Sequence, residues 1–402
     1  MITVDAAWGH VERCSRCLAD QLVPIGEALG LRLSAAVFSR VDSPPFDKSM
    51  LDGFAVVSSD RSPTRKVIEQ VVAGGVPHHA VVPGMAINVM TGAPIPEGAD
   101  AIVKVEDVRH LDEKTIEMPT SGVAHGKGVL PRAAAFHKGQ EVLAAGRPLS
   151  PVDIALLAEI GLAEVRVISR PRVAVLATGN ELVKAGWPVE RGQITNSNGP
   201  MLIALLESEQ VRSIDLGIGR DDPAELRRLM GEGLAADILI VTGGVSAGVL
   251  DLVPGVLQEL GVEQVFHKVR MKPGKPLWFG QYEQAGHRAL VFGLPGNPVS
   301  TLVAFEIFVK PALRVLRGES FRPPASMRGV LTAQVSLRGK RPTYYPCRIH
   351  FGDRAAGLPK VEPLAWSGSA DLAALTRANA LAVLPVQEAE FAVGDQVEVI
   401  AL

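Results

Sequence analysis

The chain has 402 residues, with 41 Lys and Arg against 43 Asp and Glu and a formal net charge of −2. At about 100–200 residues per domain it holds two to four domains, and near-neutrality excludes the basic excess of a general nucleic-acid binder. Apolar residues at 47% and charged residues at 21% exclude a largely disordered chain.

Forty glycines and 29 prolines beside 5% aromatics imply many tight turns rather than a coiled coil or a base-stacking surface. No apolar run reaches the ~18 residues of a membrane helix. Met1 to Asp5 carries neither the basic nor the apolar region of a secretory signal. Three cysteines build no disulfide framework, so a reduced, cytoplasmic compartment is expected.

Residues 1–40 read as helical, with Leu18, Leu22, Ile25 and Leu29 at helical spacing in a helix over 11–29. Cys14 and Cys17 spell C-x-x-C inside that helix. With no second Cys/His pair nearby, they read as buried or half-buried thiols rather than a zinc or redox site. Residues 41–53 are loop-like. From 54 to 132 short β-branched runs (54–57, 66–72, 86–89, 101–105, 115–118) alternate with Gly and Pro turns, which predicts a small β-rich module. His78-His79 falls in one of its Pro-rich turns and reads as exposed. A helix returns over 150–160, with Ser150 as N-cap, Pro151 at N1 and Gly161 as its stop.

Over 171–317 strand-like runs (172–177, 211–216, 237–241, 264–269, 277–279, 289–292) alternate with helical ones (201–207, 224–234, 252–260, 299–316). This order predicts a doubly wound, mostly parallel three-layer α/β domain. From 322 onward strands at 329–337, 344–351, 380–384 and 396–401 predict a C-terminal β-barrel or sandwich. The expected domains are 1–52 with 133–170, an elongated discontinuous N-terminal domain; 53–132, inserted and β-rich; 171–317, α/β; and 322–402, β.

Ligands of a doubly wound sheet bind beyond the carboxyl ends of its strands. Five loops there are small, polar or glycine-rich: Thr178 to Glu181, Gly219 to Asp222, Thr242 to Ser246, Lys272 to Pro276, and Pro295 to Ser300. Gly243 and Gly244 leave backbone N–H groups open to a ligand. Val299 and Ser300 begin a helix, whose N-terminus favours anions. Lys272 and Lys275 supply point charges for phosphate or another oxyanion. Glu181, Asp221, Asp222 and Asp251 are hard oxygen ligands or partners for amine donors. Together they point to a phosphorylated substrate with a divalent metal. Asp222-Pro223 reads mainly as a helix start, which leaves the functional weight on Asp221. No P-loop, dinucleotide fingerprint or zinc-protease motif is present.

The sequence resembles the molybdopterin molybdenumtransferases, the molybdenum insertase family of bacterial MoeA and the gephyrin E domain. The motifs run Pro45 to Ala55 (Pro-Phe-Asp-Lys-Ser-Met-Leu-Asp-Gly-Phe-Ala), Met90 to Pro94, Gly192 to Ile194, Ser197-Asn198, Arg220 to Asp222, Thr242 to Ser246, Met271 to Pro276 and Leu294 to Ser300. The resemblance implies an elongated homodimer that takes adenylylated molybdopterin and molybdate, releases AMP with Mg²⁺ and inserts molybdenum at the dithiolene. It also implies an active site shared between subunits. Asp52 and Thr91 would come from one copy. Glu181, Asp221, Asp251, Lys272 and Lys275, with the cofactor-binding Asn198, Gly243, Gly244, Ser246, Pro295, Gly296, Asn297 and Ser300, would come from the other. Asp221 and Asp251 are the implied metal ligands. Arg341 and Arg348 would border the oxyanion. An upstream molybdopterin adenylyltransferase is an implied partner; nucleic acid and membrane are not.

Several family carboxylates are replaced. Asn180 and Asn196 stand where the family carries Asp, Arg132-Ala133-Ala134-Ala135-Phe136 replaces an Arg-x-x-Gly-Glu-Asp segment, and Val249 follows Gly248 where Glu is usual. Metal and amine recognition use carboxylates. The sequence therefore leaves two readings: an insertase with a raised Mg²⁺ demand, or an impaired or non-catalytic dimeric scaffold that binds molybdopterin.

Overall fold

A computed structural model describes the chain outside residues 246–251, 338, 353–356 and 387–389. Two compact units emerge: residues 1–21, 30–32 and 168–402, and residues 22–29 and 33–167.

The first helix, α1 (Val4–Cys14), ends well before the expected residue 29. The Thr3 hydroxyl caps it by accepting from the Ala6 N–H, and Ser15 leaves the helix in extended geometry while its hydroxyl donates to the Val11 carbonyl. Residues Asp20–Pro24 are strand and Ile25–Glu27 a single tight turn. Pro24 explains the error: it lacks an N–H and pushes Val23 toward extended backbone, so leucines at helical spacing do not form a helical face. Cys14 is half-buried at the helix end and Cys17 is exposed beyond it, so the two thiols do not share a helix.

In the unit of 33–167, β1 (Gly53–Val56), β2 (Thr64–Val71), β3 (Met85–Val89), β4 (Ala101–Lys104), β5 (Arg109–His110) and β6 (Thr115–Glu117) form one sheet in the order β4-β1-β3-β2-β6-β5. Its strands alternate between two buried faces. Phe54, Val56, Val103 and Ile116 fill one, and Ala55, Ile87, Val89 and Ile102 the other. His78 and His79 are exposed, and their N–H groups donate to Glu69. Helix α2 (Pro151–Glu159) starts in a full capping box between Ser150 and Asp153.

The other unit is built on β7 (Arg172–Thr178), α3 (Asn198–Ser208), β8 (Arg212–Gly219), α4 (Pro223–Gly233), β9 (Ile238–Thr242), α5 (Leu252–Glu259), β10 (Glu263–His267), β11 (Trp278–Gln284) and β12 (His287–Leu294). The strand order is β8-β7-β9-β12-β11-β10. The β8–β7, β7–β9 and β9–β12 pairs are parallel, and the last two pairs antiparallel. Thr178, Gly219, Thr242 and Leu294 therefore end at one rim. Because β11 runs against β12, with Trp278 opposite Gly293, the turn that leads into β11 reaches the same rim. Asp222 caps α4 through the Glu225 N–H and Pro223 opens it, as the sequence predicts.

The helix expected over 299–316 is continuous but changes gauge: α6 (Pro298–Ala304), a wider turn at Phe305–Val309, then α7 (Lys310–Leu316). Pro311 has no N–H for the carbonyl four residues before it. That carbonyl, Ile307, instead accepts from the Trp8 indole at 2.8 Å, which ties α1 to this helix.

Beyond it, β13 (Ser326–Leu331), β14 (Thr343–His350), β15 (Lys360–Pro363), β16 (Ala380–Leu384) and β17 (Gln396–Ala401) close into a barrel in the order β13-β15-β14-β16-β17. The strand expected over 329–337 is broken. β13 pairs with β17, whereas Val335–Ser336 pairs separately with Glu390–Phe391. Tyr344, Leu381 and Ile400 of the barrel share a core with Phe292, Leu294 and Val299. No helix among the described residues is long and apolar enough to cross a membrane.

Candidate active site

The rim opens into a cleft of about 730 Å³, within the range of small-ligand sites. Three loop ends are stitched beneath it. The Asn198 Nδ2 donates to the Thr242 hydroxyl at 2.9 Å and to the Gly296 carbonyl at 2.7 Å. The Thr242 and Thr301 hydroxyls both donate to the Pro295 carbonyl, at 3.2 and 2.6 Å. Asn198 is only 8% exposed, and its Oδ1 has no hydrogen-bond partner among the described residues. The Gly296 carbonyl fixes the amide orientation, because a flipped amide would set two acceptors face to face.

Two helix N-termini converge here. At α6 the N-cap Asn297 does not cap; its Nδ2 donates to the Ser369 hydroxyl at 2.9 Å. Ser300, in the first turn, lines the cleft. At α3 the cap comes from Asn196, whose Oδ1 accepts from the Gly199 N–H at 3.0 Å. An asparagine suffices for that bond. Pro298 has no N–H and the Val299 N–H donates to the Ser369 carbonyl at 3.1 Å, so α6 offers an anion chiefly its dipole and the first turn at Ser300.

Lys272 and Lys275 also line the cleft. The Lys272 backbone is held in a two-bond bridge to the barrel, its N–H donating to the Pro342 carbonyl and its carbonyl accepting from the Tyr344 N–H, both at 2.8 Å. Arg341 also lines the cleft and donates to the Met271 carbonyl at 2.9 Å. Neither lysine side chain forms an ion pair or hydrogen bond with another described residue.

The carboxylates separate. Glu181 lines the cleft, and its carboxyl occupies the space that a Cβ at Gly179 would take, at 2.5 Å from its Oε2. Asp221 is not among the residues that line the cleft; it is joined by two bonds to Asn180, the residue before Glu181. The Asn180 N–H donates to Asp221 Oδ2 at 3.2 Å, and the Asp221 N–H donates to Asn180 Oδ1 at 3.1 Å. Among the described residues, no group of three His, Cys, Asp or Glu is placed to hold a metal on its own. Ser246 and Asp251 lie outside the described residues.

The glycines act differently from the sequence expectation. The Gly243 N–H is not open to a ligand; it donates to the Leu294 carbonyl at 3.2 Å. Gly243 is needed because its φ is +91° and a Cβ would stand 2.4 Å from the Thr178 carbonyl oxygen. Gly244 is not among the residues that line the cleft. Arg348 is not among them either; it is exposed on β14 and its Nε donates to the Arg377 carbonyl at 3.1 Å.

Asp52 and Thr91 belong to the other compact unit. There the Thr91 N–H and hydroxyl both donate to one Asp52 oxygen, at 2.6 and 2.8 Å, and these bonds hold the carboxyl below its ordinary pKa. Sequence reasoning missed the barrel-side lining, Trp366, Gly368, Ser369 and Leu372. Its only local signal is a Ser-Gly-Ser turn far along the chain. What brings it to the rim is long-range bonding of Ser369 to Asn297 and Val299.

Comparison with known proteins is consistent along the whole chain. Residues 2–161 match the MoeA N-terminal region (domain I and II), 174–315 the probable molybdopterin binding domain, and 328–402 the MoeA C-terminal region (domain IV). Molybdopterin molybdenumtransferase of Nostoc sp. is 34% identical over 95% of this chain and 88% of its own. That of Synechococcus elongatus is 35% identical over 96% and 95%. A solved molybdopterin biosynthesis MoeA protein of Pyrococcus horikoshii superposes with a TM-score of 0.83 at 29% identity, covering 100% of this chain and 99% of its own. On motifs, fold and full-length identity together, the chain belongs to the molybdopterin molybdenumtransferase family.

Proposed function

We propose that this protein inserts molybdenum from molybdate into adenylylated molybdopterin and releases AMP. The observation that carries this reading is the joining, in one cleft, of Lys272, Lys275, Arg341 and the start of α6. These are cationic groups and a helix N-terminus on walls fixed by backbone bonds. Cleaving a phosphoric anhydride leaves two phosphates whose growing charge needs stabilising by donors already in place. Lysine ammonium groups and the α6 start supply that, and a charge-assisted bond to phosphate or molybdate is stronger than a neutral one. Asn198, Gly296 and Asn297 hold the wall in shape.

The donor set fits Mg²⁺ of the kind that binds with one or two carboxylates and the substrate's own phosphates. Glu181 lines the cleft, and Asp221, bonded to the sequence neighbour of Glu181, Asn180, keeps one carboxyl oxygen outside that pair of bonds. Glu181 and Asp221 would hold the ion, which supplies charge neutralisation at the phosphates. Asp251 is a further proposed ligand.

Asp52 and Thr91 complete the site from a second copy in a homodimer, and Gly244, Ser246 and Arg348 are further proposed cofactor-binding residues. The four-domain division (1–52 with 133–170, 53–132, 171–317, 322–402) is part of this reading. So is a cytoplasmic location, with all three cysteines free, and receipt of the substrate from an adenylyltransferase. Analytical ultracentrifugation at micromolar protein tests the dimer, with twice 42.6 kDa expected; a monomer would refute the shared site. AMP release from adenylylated molybdopterin, stimulated by molybdate, tests the reaction. No release at any Mg²⁺ concentration would establish the non-catalytic scaffold instead.

A further inference from the structure

Trp366 is the single aromatic residue among those that line the cleft. The chain has only four tryptophans, and two of the others are committed elsewhere. Trp8 donates to Ile307, and Trp278 is buried and donates to Gln264. Trp187 stands 69% exposed on a different loop. Trp366 is half-buried at the cleft wall. A large apolar ring left partly open to water at a polar site gives up burial energy.

The loop that carries it is held on both sides. The Leu364 N–H donates to the Pro346 carbonyl, and the Ala365 carbonyl accepts from Arg377, both at 3.1 Å. After the tryptophan, the Ser367 N–H and hydroxyl donate to Asp371, and Ser369 is joined to Asn297 and Val299. The indole itself meets Tyr345 near-perpendicularly, with ring centroids 5.7 Å apart and planes at 74°. Burial raises the Tyr345 pKa. The ring is thus oriented before any ligand arrives.

We propose that Trp366 is the surface on which a fused nitrogen heterocycle of the substrate stacks, leaving the phosphates to the lysines and α6. This rests on the functional reading above, which supplies two such rings, a pterin and an adenine. Stacking on a fixed indole adds affinity without the cost of ordering a mobile side chain.

Calorimetric titration of the full-length protein with AMP, with 6-hydroxymethylpterin and with molybdate separates the sources. For Trp366→Ala, affinity for one of the two heterocycles should fall about tenfold or more. Trp366→Phe should keep most of that affinity, and molybdate should bind all three proteins alike. The heterocycle that weakens identifies the stacked ring. The proposal is overturned if both heterocycles bind Trp366→Ala as they bind the parent, if neither binds the parent, or if molybdate weakens in parallel, which would mark Trp366 as a wall support. Molybdate-stimulated AMP release by the parent with unchanged heterocycle affinities would leave the functional reading standing and remove Trp366 from it.

Discussion

In the β-rich module, Asp60 lies beside Arg65 with both side chains nearly sealed, 5% and 2% exposed, and also accepts from Ser62 and the Gly84 N–H. Asp100, more exposed, is also bonded within the module, by Ser58 and His125. In the α/β cleft the pattern reverses. Backbone and amide groups of Lys272, Asn198 and Asn297 are bound to the protein, while the lysine ammonium groups have no described partner. Charges of the first region hold the fold. In the second the two lysine ammonium groups stay open for a ligand, and the walls are held by neutral groups and by the Arg341 bond to Met271. Substitutions in the first should therefore act on stability, and in the second on binding.

The largest effect is expected at Asp60. Burial opposes its ionisation, but hydrogen bonds from Ser62 and Gly84 and the Arg65 charge prevail and bring its pKa to about 2. Asp60→Asn would leave Arg65 buried without its counter-charge, costing about 3–5 kcal/mol in urea unfolding. The sign of the pH dependence follows from the lowered folded-state pKa. The stabilisation is present above the unfolded value near pH ~4 and is lost as pH falls toward 2, about 2–3 kcal/mol in all. A loss below ~1 kcal/mol for Asp60→Asn would remove the structural assignment.

Next comes Lys275→Ala. Removing one charge-assisted contact should weaken molybdate or AMP binding by roughly 1.5–3 kcal/mol, about 10- to 150-fold, with the melting temperature unchanged. Equal calorimetric affinity for variant and parent would make Lys275 an ordinary surface lysine. Asn198→Ala sits between the two classes, because Asn198 is both a cleft wall and the donor for Gly296. It should lower stability by about 1–3 kcal/mol and ligand affinity with it; a change in affinity alone would break the proposed division. The smallest effect is expected for Asn180→Asp. The new carboxylate keeps the bond from the Asp221 N–H and adds a charge near a divalent ion. At this exposed position it should be worth about 1 kcal/mol, roughly a fivefold lower Mg²⁺ midpoint for AMP release. An unchanged midpoint would mean that position 180 does not face the metal.

The α/β region was legible because its strands are short apolar runs closed by Gly, Asp or Pro, and because such a sheet gathers its loop ends at one rim. Asp222-Pro223 named its own helix start. Residues 11–29 were misread because leucine spacing is ambiguous until the effect of Pro24 is included. Gly243 lines the cleft, but its N–H is bound to Leu294 and what the backbone requires there is its missing Cβ. Trp366 and Ser369 were invisible because their place depends on barrel closure and a bond to Asn297 more than 70 residues away.

On the proposed reading, the open lysines Lys272 and Lys275 stabilise the charge that develops in molybdate-dependent anhydride cleavage. AMP release from adenylylated molybdopterin, followed with and without molybdate, for the parent and for a folded Lys272→Ala/Lys275→Ala variant, tests it most directly. Molybdate should stimulate release by the parent, and the double variant should lose nearly all of it. Equal release by both proteins would contradict it.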